Sequence, residues 1–284
     1  MNLLRSRIAA AIMAVLAIAP ALWITGCEDH RSGSANVQPP ARVVLAEGRM
    51  LRLYGRVNDW PWIDEAVLLE EVAALDKAGW DGYLIELGGA ARWRGHSEEE
   101  ARAVIGERYP VLVDALGDRG MVLLVSVQND NAGKAKFGDK SPPLSGQVGF
   151  SAWLVNLVAS VGRPDVAMVQ PVAETESDAG YALERLCASV LTNFTLVNNA
   201  GSRPSFKPAW AHYNATHNWS IAKVYAEDIV VNDTSTAIIE VDADGNMDGP
   251  TNPHQVARFL ARCEEVGAKA AGVYVFSHDG PIDH

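Results

Sequence analysis

The sequence predicts an α/β protein folded as a (β/α)8 TIM barrel: eight parallel strands in a closed ring, helices outside, and an irregular region between strands five and six. Three observations carry this. Short runs rich in Val, Ile and Leu recur eight times between Met50 and Phe276, mostly apolar throughout, as strands buried on both faces must be. Segments of helical periodicity separate most of them, the pattern of βα units sharing a parallel sheet. The first run leads into Arg56-Val57-Asn58-Asp59 and not into a G-x-G-x-x-G turn, so the phosphate fingerprint of an open doubly wound sheet is missing.

Strands are expected at 50–57, 82–87, 121–128, 166–172, 194–198, 228–231, 236–241 and 272–276. After the first, residues 64–78 place Leu68, Val72 and Leu75 on one helical face and stop at Gly79. After the second, Ser97 and Glu100 form a capping box for a helix reaching about Leu116, with Pro110 inside it and Gly117 and Gly120 as stops. Residues 152–161 and 178–190 supply two more helices. The last begins at Asn252-Pro253, spaces Val256, Phe259, Leu260, Cys263 and Val266 helically, and ends at Gly267. Residues 201–225 contain no legible helix, which is the source of the expected irregularity.

Ahead of this domain (43–284), residues 1–26 read as an export signal: Arg5 and Arg7 precede an uncharged apolar stretch from Ile8 to Ile24, interrupted by Pro20. Ile24-Thr25-Gly26-Cys27 resembles the lipobox of bacterial lipoproteins. The resemblance implies cleavage before Cys27, acylation of that thiol and attachment to a membrane, with Glu28 slightly favouring the outer one. Residues 27–42, rich in Ser, Gly and Pro, read as a flexible tether. Loss of residues 1–26 removes two arginines and no acid, taking the formal charge from −11 to −13. No basic cluster occurs in the folded part, which argues against a nucleic-acid partner. Cys187 and Cys263 lie in helical segments among apolar neighbours and read as free core thiols.

Reactive groups of such a barrel stand where its strands end. Polar residues do follow nearly every strand, among them Asp59, Asn129, Asn198 and His278, although Asn and Asp are ordinary turn residues. Glu is not, and Glu86, Glu174 and Glu240 sit directly on apolar strands. With Glu174 after strand four and Glu240 ending strand seven, the chain resembles the retaining glycoside hydrolases built on (β/α)8 barrels. The resemblance implies that Glu240 is the nucleophile and Glu174 the general acid/base, about 5 to 5.5 Å apart. That group has Asn before its acid/base where this chain has Ala173, which leaves Glu176 open as the acid. The structural alternatives are a helix N-terminal carboxylate for Glu174 and a buried ion-pair partner for Glu240.

Aromatic residues accompany the strand ends: Trp60 and Trp62 after the first, Trp93 after the second, and Phe206, Trp210, Tyr213 and Trp219 in the expected long fifth loop. Flat rings beside polar groups suit a sugar face, and large loops also need aromatic anchors. The expected substrate-binding set is Asp59, Trp60, Glu86, Trp93, Asn129, Asn198, Trp210, Tyr213 and His278. No cofactor is implied. No histidine pair has metal-ligand spacing, and the stretch from Asp242 to Asp248 alternates oxygen ligands like a calcium loop but has Pro253 where the bidentate Glu belongs. No G-x-S-x-G elbow occurs. The sequence thus points to a polysaccharide or glycan partner, with a non-catalytic glycan- or protein-binding surface lipoprotein, of host or phage origin, as the alternative.

Overall fold

The computed structural model describes residues 41–56, 60–88, 96–130, 144–173, 175, 177–199, 208–218, 236–242 and 253–275. The export signal, Cys27 and most of the tether lie outside them, as do Asp59, Trp93, Glu174, Glu176, Phe206, Trp219, His278 and residues 243–248 of the calcium-like stretch. Among the described residues no helix is long and apolar enough to cross a membrane.

The strands are β1 (Leu51–Arg56), β2 (Gly82–Glu86), β3 (Val122–Asn129), β4 (Ala167–Ala173), β5 (Thr195–Asn199), β6 (Tyr213–Asn218), β7 (Thr236–Asp242) and β8 (Ala270–Val275). Each pairs in parallel with the next, and β8 returns to β1, so the barrel is closed. The described helices are α1 (Glu65–Lys77), α2 (Glu98–Gly117), α3 (Val148–Val161), α4 (Asp178–Val190) and α5 (Pro253–Glu265). Local chemistry sets their starts. Asp64 caps α1 by accepting from Ala66 N–H, Ser97 and Glu100 form the expected reciprocal box on α2, and Ser177 caps α4.

One strand is misplaced by the sequence reading. The sixth barrel strand is Tyr213–Asn218, inside the expected long fifth loop; residues 228–231 are not needed to close the ring and lie outside the described residues. The strand is easily overlooked because YNATHN carries little apolar character. Its pairing with β7 also shifts register between Asn214 and Ala215. Most of the stretch 201–225 expected to be irregular lies outside the described residues; the register shift belongs to the pairing of β6 with β7.

Alternation along the strands sorts side chains into two compartments. Outward residues such as Ile85, Val125, Val169 and Ile239 pack against Leu68, Ile105, Leu154 and Phe259 of the helices. Inward, Leu53, Leu84, Leu124, Met168, Val197, Ala215, Ile238 and Ala270 fill the lower barrel, one from each strand. The segment before β1 seals this end. Val43 and Leu45 join the interior cluster, Val43 N–H donates to Pro164 O (2.8 Å), Leu45 N–H donates to Tyr213 Oη (3.1 Å), and Thr195 Oγ1 donates to Val43 O. Cys187 and Cys263 are free and buried.

Candidate active site at the barrel mouth

One inward position further along each strand, the interior changes from apolar to polar. Ser126 of β3, Gln170 of β4, Asn199 of β5 and Glu240 of β7 are buried together there, with Glu86 of β2 nearby. Glu240 is only 1% exposed. Its Oε1 accepts from Gln170 Nε2 (3.4 Å) and its Oε2 from Asn199 Nδ2 (3.1 Å), while Gln170 Oε1 accepts from Ser126 Oγ. Space for this carboxylate comes from the facing residue of β8. Gly272 is in register with Glu240, and a Cβ there would lie 3.3 Å from Glu240 Cγ and 3.1 Å from Leu84 Cδ1.

Glu86 and Asn129 form a second contact at this end, Asn129 Nδ2 donating to Glu86 Oε1 (3.0 Å). Asn129 reaches it because β3 breaks its alternation. Val127 packs outward with the helices, and Gln128 also faces outward, donating to Ser151 Oγ of α3 (3.0 Å). The irregularity adjoins Pro171 on β4, which has no N–H to give to the ladder between the Ser126/Gln170 and Gln128/Val172 pairs.

Other expected site residues lie elsewhere. Trp60 is 0% exposed, belongs to the core outside the barrel and donates Nε1–H to Glu86 O (2.8 Å), so its faces are not open to a ligand. The rim aromatic of that loop is Trp62, partly exposed and stacked on His96 with ring centroids 3.6 Å apart and planes at 13°. Asn198 points out of the barrel and pairs with Asn214 (Nδ2 to Oδ1, 3.2 Å). Tyr213 opens β6 and Trp210 precedes it, packed on the core, so both belong to the closed lower end rather than the mouth. Asn198, Trp210 and Tyr213 share one cause, a strand whose bounds differ from those read in the sequence, whereas Trp60 lies in a loop where no periodicity sorts core from rim. Ser126, Gln170 and Asn199 lie outside the expected substrate-binding set; Gln170, flanked by Val169 and Pro171 inside an otherwise apolar strand, is a visible signal in the sequence.

Behind the mouth, the segment joining β4 to α4 is pinned twice. Ser177 donates to Asp130 through both N–H (2.6 Å) and Oγ–H (2.7 Å), and Thr175 Oγ1 donates to Glu184 Oε1 (2.5 Å). Gly180 leaves room for this, since a Cβ there would sit 2.8 Å from Asp130 Oδ2. Burial raises the Glu184 carboxyl above its usual value, with the Asp130 charge adding to it. Burial likewise raises both thiols, Cys263 to about 12 and Cys187 further, so neither is a thiolate nucleophile at neutral pH. Among the described residues no group of three or more His, Cys, Asp or Glu could hold a metal ion.

This fold is shared with known enzymes. A glycoside hydrolase family 5 protein from Bacteroides vulgatus superposes with a TM-score of 0.56 over 80% of this chain at 8% identity. The catalytic domain of a mannanase from Streptomyces sp. SirexAA-E gives 0.54 over 91% of this chain and 88% of its own length at 14% identity. A β-1,4-D-mannanase from Cryptopygus antarcticus gives 0.52 over 82% and 86% at 10% identity. The chain spans 59% of the length of the Bacteroides protein and 63% of another glycoside hydrolase. No protein-family model matches the sequence, and no curated protein sequence does. The chain is thus a (β/α)8-barrel protein with a glycoside-hydrolase-like fold; at these identities the likeness extends to the fold alone.

Proposed function

We propose that the chain is a lipid-anchored, glycoside-hydrolase-like protein of the cell envelope that cleaves a polysaccharide by a retaining mechanism, with Glu240 as nucleophile. The observation that carries the reading is Glu240 itself: a carboxylate on an apolar strand, inside the polar end of a closed barrel, with one amide donor on each oxygen. A positioned carboxylate of this kind can attack an anomeric carbon without reorganising. In this reading Glu174, or Glu176 in its place, follows β4 and protonates the leaving oxygen, then deprotonates water to release the sugar. Thr175 and Ser177, their neighbours in the chain, are themselves held by hydrogen bonds to Glu184 and Asp130. The glycan-cleaving names of the mannanase neighbours favour a polysaccharide substrate. Acylated Cys27 is the membrane attachment, with the outer membrane preferred.

One observation favours a second reading. Both Glu240 oxygens already accept hydrogen bonds and almost none of the residue is exposed, as in a polar plug of a barrel that binds glycan or protein without cleaving it. Incubating the purified protein with a panel of β-linked polysaccharides, beside Glu240→Gln, Glu174→Gln and Glu176→Gln, separates the two. The glycosidase reading expects hydrolysis that Glu240→Gln abolishes and that one of the other two variants lowers by about 10²-fold or more, the size of a general-acid contribution. Equal hydrolysis by all four proteins, or none with binding retained, rules it out.

A further inference from the structure

The amide of Gln170 is held at both ends, and the chain of hydrogen bonds has a direction. An ionised carboxylate only accepts, so Glu240 Oε1 takes the NH2 end of Gln170; the remaining Oε1 of Gln170 is then an acceptor, which the Ser126 hydroxyl satisfies as donor. Ser126 and Gln170 are both 0% exposed, so water does not compete for these bonds. On the other side Asn199 holds Oε2. The three supports come from β3, β4 and β5, whereas Glu240 stands on β7, so the carboxylate is braced from across the barrel interior.

We propose that Gln170, oriented by Ser126, is a positioning residue that fixes the Glu240 carboxylate within the barrel mouth. This rests on the reading of Glu240 as the reacting group only where activity is concerned; the brace itself is independent of it. The contact of 3.4 Å is long, which leaves the bond sensitive to small changes at Gln170.

The test follows the titration of Glu240 by carbon NMR of the full protein labelled at glutamate carboxyls, its signal assigned by its loss in Glu240→Gln. Gln170→Glu keeps the shape but replaces the donor with a second carboxyl, and should raise the Glu240 midpoint by more than about one pH unit, as for carboxylates sharing a site. Gln170→Met removes the donor and should raise it less. Ser126→Ala should raise it least, and Ser126→Thr, which restores the hydroxyl, should return it to the wild-type value. On a polysaccharide that the protein cleaves, Gln170→Met should lower kcat by up to about 10²-fold while KM stays within about twofold. Ser126→Ala, the smallest change, carries the test if a Gln170 variant does not fold. A midpoint that stays put in all three folded variants overturns the proposal, and failure of Ser126→Thr to differ from Ser126→Ala overturns the part given to Ser126. If the midpoints move but Glu240→Gln cleaves like the wild type, the brace stands and the nucleophile assignment falls; still midpoints with an inactive Glu240→Gln give the reverse.

Discussion

Two buried polar clusters stand on opposite sides of the same barrel wall. Inside, Ser126, Gln170, Asn199 and Glu240 meet in the mouth; outside, Arg56 of β1 donates from Nε to Glu71 Oε2 of α1 (2.7 Å), and Tyr83 Oη of β2 donates to Glu71 Oε1 (2.7 Å). Burial and residue type do not tell them apart, since both contain a nearly inaccessible glutamate. The side of the sheet does. A charge pair between strand and helix can only hold the two together, whereas an inward group near the C-terminal strand ends lies where a (β/α)8 barrel receives ligands. Candidate site residues are thus distinguished by strand parity and height along the barrel, and the comparison can be tested by removing groups from each compartment.

The largest loss is expected outside. Arg56→Met leaves Glu71 buried without its guanidinium and should cost about 3–5 kcal/mol, read from urea unfolding, while a double Arg56→Met, Glu71→Leu variant should recover much of it. Any polysaccharide hydrolysis should persist in the folded fraction of both. A variant that unfolds normally yet loses activity would break the division between scaffold and site. Next comes the lower interior, where Leu124→Ala should cost about 2–5 kcal/mol by transfer and cavity terms, again without change in specific activity.

The scaffold was far more legible than the site. Seven of the eight strands begin or end within two residues of the positions read from apolar runs, because strands buried on both faces must be apolar whatever they enclose. The exception, β6, has the sequence YNATHN, and its polar residues hid it. Site residues needed finer information. Ending β5 at Asn198 instead of Asn199 selected the amide that faces outward to Asn214 and passed over the one that holds Glu240. Trp60 and Trp62 are two residues apart in one loop, yet one is core and the other rim; no periodicity in a loop separates them. Glu240 and Glu86 stand out in the sequence because glutamate directly on an apolar strand has few scaffold reasons to be there, and the structure buries both at the polar end of the barrel.

Inside the mouth the stability change should be smaller than either scaffold loss. Glu240→Gln relieves the burial of a carboxylate but turns an NH2 group toward one of two existing donors, Gln170 or Asn199. The net cost should be about 1–3 kcal/mol, the range for a disturbed buried hydrogen bond. A loss as large as that of Arg56→Met would place the polar cluster with the scaffold and support the polar-plug reading over the catalytic one. Equal unfolding midpoints with abolished hydrolysis would sharpen the contrast instead.

The smallest effect is expected behind the mouth and has the opposite sign. Burial raises the Glu184 carboxyl above its ordinary value of 4.5. The folded chain therefore holds this proton more tightly than the unfolded chain, and the stability so gained is complete below the unfolded value and lost as pH rises through the folded one. Above that folded value the ionised, buried Glu184 is a cost. Glu184→Gln retains an acceptor for Thr175 Oγ1 and removes the charge, so it should stabilise the protein at pH 7, with the advantage shrinking as pH falls through the folded value and gone once pH is below 4.5. Unfolding midpoints of both proteins across pH 4 to 7 give the answer. A constant difference over that range would mean that Glu184 does not titrate there and acts only as a hydrogen-bond partner of the segment joining β4 to α4. A difference that grows with pH would mean that the chain accepts an unfavourable buried charge beside that segment and near the Asp130 carboxylate.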